Sequence, residues 1–213
     1  MKVSLSILTV DYLRVKESLE NYIDDVDYVH LDVMDGVFVP NISFGPAFIK
    51  SLRKIDENKI FDTHLMIEYP DRYIKEFSEA GSQYITFHVE ASSDVLKTIE
   101  SIKSYNVKAG ISIKPKTTVE EIEKYLPYVD MVLVMSVEPG FGGQKFMDSA
   151  VDKVKRLSEL KKANNYSYLI NIDGGINDVT GLKIKDYVDL AVSGSYVVNN
   201  KDPKEAINKL HNL

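Results

Sequence analysis

Short apolar runs with a period of two alternate with longer amphipathic runs along the whole chain. Residues 3–8, 28–34, 60–66, 84–88, 107–113, 131–135, 168–172 and 190–193 predict strands. Between and after them, helices are predicted over 11–22, 44–54, 70–80, 94–105, 119–125, 148–163, a short stretch past Asp178, and 203–210. Pro46 suits the first turn of the second of these, and Gly81 the end of the third. Strand-then-helix units repeating with no linker-like break predict a parallel α/β protein. Their number and the chain length suit a single-domain (β/α)8 TIM barrel spanning residues 1–213. An open doubly wound sheet would want a glycine-rich turn after the first strand, and Ser6-Ile7-Leu8-Thr9-Val10-Asp11 has none. No sequence repeat is expected beyond the βα alternation itself.

The second strand carries the most informative pattern. Val29, Leu31 and Val33 make one apolar face, whereas His30, Asp32 and Met34 share the other. The third strand repeats it with Asp62, His64 and Met66, the sixth places Met131, Leu133 and Met135 together, and the seventh ends in Asn171 and Asp173. In a barrel, functional groups collect where strands end and βα loops begin. Taken singly, each of these side chains reads as an ordinary hydrogen-bonded core residue. Their arrival at equivalent strand ends points instead to a four-ligand set of His30, Asp32, His64 and Asp173. Imidazole and carboxylate without sulfur suit one divalent ion, Zn²⁺ first, with Fe²⁺, Mn²⁺ and Co²⁺ as alternatives. The parity of Met34, Met66 and Met135 matches the ligand side, making soft, uncharged walls for the site. His88 lies at another strand end, and His211, in the last helix, is expected at the surface.

Glycine marks three neighbouring loops: Glu138-Pro139-Gly140-Phe141-Gly142-Gly143-Gln144, Asp173-Gly174-Gly175 and Gly194-Ser195. Backbone N–H groups freed by glycine can form an anion cradle, and the last two βα loops of barrels often bind phosphate. The longest of the three could also serve as a lid.

Charge narrows the partners. With 26 Lys+Arg against 32 Asp+Glu the net charge is −6, so nucleic acid and anionic membranes find no general attraction. Phosphate must then be held by local geometry. Cysteine is absent, which removes disulfides and thiolate chemistry and fits a reducing compartment. No apolar run reaches membrane-spanning length, and Met1–Leu8 lacks the features of a signal peptide. A cytoplasmic location is expected, with outer helices that favour a homo-oligomer.

The segments HLDVMDGVFVPN, DTHLM, VEPGFGGQKF, DGGI and SGS occur in order at the predicted strand ends. In these the chain resembles the ribulose-phosphate 3-epimerase family over essentially its whole length. The resemblance implies a metal-dependent epimerase interconverting D-ribulose 5-phosphate and D-xylulose 5-phosphate. It makes His30, Asp32, His64 and Asp173 the metal ligands, with Asp32 and Asp173 doubling as catalytic acid and base. Ser6 and His64 would meet the sugar, while Gly140, Phe141, Gly142, Gly143, Gly174, Gly175, Gly194 and Ser195 correspond to phosphate-side contacts. Departures occur at Leu5, at 9–12, at 92–94 and at 193–196; none falls on the four ligands, so they bear on substrate preference. Two carboxylates facing one flat sugar fragment can invert a carbon beside a carbonyl, one removing a proton as the other returns one, through an enediolate whose oxygens a metal would hold. Two rival readings are a Schiff-base aldolase using Lys114, itself expected to face solvent, and a catalytically silent sugar-phosphate binder.

Overall fold

Alternate positions in each strand point to opposite sides of a closed sheet, and that division decides where chemistry can sit. The computed structural model describes all 213 residues. Its strands are β1 Lys2–Ser6, β2 Tyr28–Met34, β3 Ile60–Met66, β4 Tyr84–His88, β5 Lys108–Ile113, β6 Met131–Met135, β7 Leu169–Asp173 and β8 Leu190–Ser193. They pair in sequence order, all parallel, and β8 closes onto β1. The helices are α1 Val15–Tyr22, α2 Pro46–Leu52, α3 Ile74–Glu79, α4 Val95–Ser104, α5 Val119–Ile122, α6 Ser149–Ala163, α7 Asp178–Gly181, α8 Ser195–Val198 and α9 Pro203–His211. This is a (β/α)8 barrel. No helix is long and apolar enough to cross a membrane.

Val29, Leu31 and Val33 of β2, with Phe61 and Leu65 of β3 and their equivalents elsewhere, join the helices in one continuous apolar layer. The lumen is built differently. Its N-terminal end is plugged by Tyr28, Met131 and Leu190, with Tyr84 packed against them. Above the plug, the buried Ser4, Asp62 and Asn171 make the middle polar.

The N-terminal rim also holds a repeat that the sequence reading does not anticipate. The residue before each even-numbered strand hydrogen-bonds a backbone N–H of the strand before it. Asp27 accepts from Val3, Gln83 from Phe61, Asp130 from Ala109 and Asp189 from Ile170, all at 2.8–2.9 Å. Three of the four lie in Val-Asp-X-Val/Ala segments, at 26–29, 129–132 and 188–191.

Helix ends depart from expectation for identifiable reasons. The 70–80 segment is a 3₁₀ turn, Pro70–Arg72, then α3, because Tyr73 leaves helical geometry at φ −122° and ψ 3°. The 119–125 segment stops as α-helix at Ile122 and continues as 3₁₀ over Glu123–Tyr128, where Pro127 has no N–H to sustain the α pattern. The first helix begins at Val15, since the Asp11 side chain accepts from the Leu13 N–H in a turn of its own. α8 was not expected.

Candidate active site

Register brings the polar lumen positions together. Asp32 sits beside His64 and His30 beside Asp62 across the β2–β3 ladder, and Met34 beside Met66. At the C-terminal mouth one ligand atom each from His30, Asp32, His64 and Asp173 fall within 4.8 Å of one another. His30 and His64 are fully buried, Asp32 is 3% exposed, and Asp173 keeps some surface facing the cavity. The four residues expected to meet therefore do meet.

Their partners are specific. His30 Nδ1 lies 2.9 Å from Asp62 Oδ2, which also accepts from Asn171 Nδ2 at 3.1 Å. That oxygen is thus committed as an acceptor, so the network makes His30 Nδ1 a donor and leaves Nε2 facing the site. That Nε2 is buried, 3.2 Å from Asp32 Oδ1, and has no hydrogen-bond partner. His64 Nδ1 is 3.1 Å from Asp32 Oδ1, and Ser6 Oγ donates to Asp32 Oδ2 at 2.8 Å. On its far side His64 Nε2 meets His88 Nε2 at 2.9 Å, and His88 Nδ1 meets Glu90 Oε2 at 3.1 Å. A buried, unpaired imidazole nitrogen converging with two carboxylates and a second imidazole fits a divalent cation.

Without an ion the charges sort themselves unequally. Burial pushes the Asp173 carboxyl up, and the Asp32 charge adds to it, to about 7. Burial acts on Asp32 as well, but the charge of His30, the strongest opposing influence, and the proximity of His64 outweigh it and hold Asp32 far below the usual carboxylate range. Burial would lower His30, yet Asp32 and Asp62 raise it well above an ordinary imidazole. Burial dominates for His64, which is lowered, and for His88, brought down to about 4 against the pull of Glu90. Burial opposes ionisation of Glu90, but His88, Thr117 and the Lys114 N–H overcome it and set Glu90 at about 2.

The mouth opens into a cavity of about 600 Å³ lined by Ser6, Asp32, Asp173 and the three methionines expected there, Met34, Met66 and Met135. The glycine loops form its other wall: Gly140, Phe141, Gly142, Gly143, Gly174, Gly175, Gly194 and Ser195 all line it. The N–H groups of Gly175, Gly194 and Ser195 donate to no acceptor within the protein. Gly175 has φ +64°, and a Cβ there would lie 2.6 Å from the Phe146 nitrogen, so only glycine admits this close approach. The Gly140 loop is tied down: Asn41 Nδ2 donates to the Gly140 carbonyl at 2.8 Å, and Gln144 Nε2 to those of Glu138 and Phe141. Phe141 stands at its tip, 55% exposed.

Strand parity put Asp62 and Asn171 on the ligand face without giving them a role, and a few other side chains lie where the sequence did not place them. Asp62, Asn171 and His88 belong to the site's supporting network. The cross-strand position of Asp62 beside His30 is the signal that would have given it this role. Lys114 does not line the cavity; its Nζ rests 3.7 Å over the Phe38 ring instead of extending into solvent. His211 is half-buried with Nε2 3.0 Å from Asp27, so it joins the N-terminal rim and is not a free surface residue.

Residues 2–198 match the Ribulose-phosphate 3 epimerase family. The chain is 42% identical to the ribulose-phosphate 3-epimerase of Bacillus subtilis (strain 168), over 99% of this chain and 98% of that protein. It is 40% identical to that of Aquifex aeolicus (strain VF5), over 98% and 94%. Among solved structures, KGPDC from Streptococcus mutans matches with a TM-score of 0.73 at 13% identity, covering 99% of this chain and 95% of that one. The 3-hexulose-6-phosphate synthase from Salmonella typhimurium matches at 0.74 and 19%, covering 100% and 97%. At such identities these structures speak to the fold alone.

Proposed function

The chain belongs to the ribulose-phosphate 3-epimerase family and is an epimerase acting on a pentose phosphate, and we propose that it inverts C3 of D-ribulose 5-phosphate to give D-xylulose 5-phosphate, using Asp32 and Asp173 as the two proton-transfer groups. The observation that carries this is the meeting of two unlike carboxylates at the floor of a cavity whose far wall is free backbone amide.

Asp32 is held toward the ionised form and Asp173 is raised toward the protonated one, so without an ion the pair offers a base and an acid near neutral pH. β2 and β7 lie three places apart around the sheet, with β1 and β8 between them. That separation lets the carboxyls address the two faces of a flat fragment held in the mouth. One takes the proton from C3 while the other supplies one from the opposite face, and the roles exchange in the reverse direction. Ser6, donating to Asp32 Oδ2, orients that carboxylate. The thioethers of Met34, Met66 and Met135 carry no acidic hydrogen, so the carbanionic carbon finds no unintended proton donor beside it. The amides of Gly175, Gly194 and Ser195 would take the phosphate and so fix which carbon lies between the aspartates.

His30, His64, Asp32 and Asp173 would hold one divalent ion, Zn²⁺ by donor type, with Fe²⁺, Mn²⁺ or Co²⁺ as alternatives. When bound it would supply stabilisation of the negative charge that develops on the sugar oxygens.

Proton NMR of ribulose 5-phosphate with the enzyme in D₂O tests the whole reading. We expect xylulose 5-phosphate carrying one deuterium at C3, with turnover lost to a chelator and regained with added metal. Exchange at another carbon, or none with metal present, would refute it.

A further inference from the structure

We infer that Glu90, which touches neither the cavity nor the four converging residues, is a positioning residue that dictates through His88 which nitrogen of His64 is free to bind a metal. The inference rests on the metal site proposed above.

Protons along the buried line from Glu90 to His64 can be placed one by one. Glu90 Oε1 is committed as an acceptor, because the Lys114 N–H donates to it at 2.7 Å and Thr117 Oγ1 donates as well. Its second oxygen, Oε2, faces His88 Nδ1 at 3.1 Å. An ionised carboxylate can only accept, so His88 carries its proton on Nδ1 and presents a lone pair at Nε2. That lone pair lies 2.9 Å from His64 Nε2, which must therefore be the N–H. A neutral His64 with its proton on Nε2 has only a lone pair at Nδ1, the atom 3.1 Å from Asp32 Oδ1. Lone pair and carboxylate repel unless a cation lies between them. The line from Glu90 thus aims the donor atom of His64 into the site, as outer hydrogen bonds do for metal-bound histidines generally.

The surroundings keep the line intact. His88 and His64 are buried, and the Phe38 ring packs on His88 at 4.8 Å between centroids. Lys114 Nζ lies 3.7 Å over that Phe38 ring. Water is thus kept from substituting for either ring as a hydrogen-bond partner.

Glu90→Gln is the sharp variant because it changes almost no volume. With its amide NH₂ toward His88, it favours a proton on His88 Nε2 and so the wrong tautomer of His64. Turned over, the NH₂ confronts the Lys114 N–H and the Thr117 hydroxyl. We expect Co²⁺ affinity, measured by chelator competition on metal-free protein, to be weaker by about 10–100-fold in E90Q than in wild type. Long-range ¹H–¹⁵N spectra of the zinc-loaded wild type should show His88 protonated on Nδ1 and His64 on Nε2. This second measurement needs no variant and stands even if E90Q folds poorly. The opposite tautomer at either ring, or an E90Q affinity within about twofold of wild type, would overturn the role of Glu90. Wild-type protein that takes up no Co²⁺ would instead overturn the metal site on which the inference rests.

Discussion

Asp32 and Asp173 are the same residue type, and their surroundings make them opposites. Asp32 is flanked by His30 and His64 and receives the Ser6 hydroxyl, whereas Asp173 feels burial and the Asp32 charge with little to offset them. This asymmetry has a measurable sign in the metal-free protein. A carboxyl at about 7 when folded, against an ordinary 3.8, binds more protons folded than unfolded between those values. Its contribution to stability is complete below the ordinary value and disappears as pH rises through 7. The slope approaches about 1.4 kcal/mol per pH unit. His30, raised for its own reasons, acts in the same sense above its ordinary value, so the comparison must be between wild type and Asp173→Asn. Asp32 and Glu90 have the reverse sign, with stability lost as pH falls, but in a more acidic range. Thermal melts of chelator-treated protein from about pH 5 to 7.5 should show wild type losing stability relative to D173N as pH rises. The same variant, loaded with metal, should turn over about 10²–10⁴-fold more slowly. A flat difference between the two melting series would mean that Asp173 is not held protonated.

At the scale of elements, the strands were the most legible part of the chain. Alternation in Val29-His30-Leu31-Asp32-Val33-Met34 shows which side chains share a face, and barrel closure then dictates that the polar face is the lumen. Helix ends were less legible, because Tyr73 and Pro127 act through backbone geometry that periodicity does not report. The Glu90–His88–His64 line was hidden for another reason: parity turns a residue inward, but only the register between β3 and β4 decides which inward residues touch. The N-terminal clamps were missed because one of the four is Gln83 and their spacing is uneven. They make a prediction of their own. Asp130, just before β6, accepts from the N–H of Ala109, the second residue of β5, at 2.9 Å and so ties the starts of the two strands together. Asp130→Ala leaves that N–H without its partner and should cost about 1–3 kcal/mol by denaturant unfolding. Asp130→Asn keeps an acceptor oxygen and should cost much less, and kcat should be unchanged in both, since the clamp lies at the end of the barrel away from the cavity. Equal losses in the two variants would assign the effect to the Lys103 and Lys108 ion pairs instead.

For the whole molecule, the position of the four converging residues relative to the seam of the barrel matters most. β2 and β3 share seven register pairs, whereas β1 with β2 and β7 with β8 share three each. The arc from β7 through β8 and β1 to β2 therefore contains two of the short ladders, and an ion held by Asp173 on one side and by Asp32, His30 and His64 on the other would span it. Binding to the folded state alone stabilises it by about 2.7 kcal/mol at a hundredfold excess over Kd. For a chain of this size that amounts to a rise in Tm of roughly 5–10 °C. The gain should be unevenly spread. Amide hydrogen exchange, compared with and without Zn²⁺, should slow most in β8 and β1 and least in β4 and β5, whose strands carry none of the four residues. His64→Ala should abolish both the rise in Tm and the pattern. Uniform slowing around the barrel would show that the ion acts on global unfolding alone, and that the short ladders between β7 and β2 open no more readily than the rest.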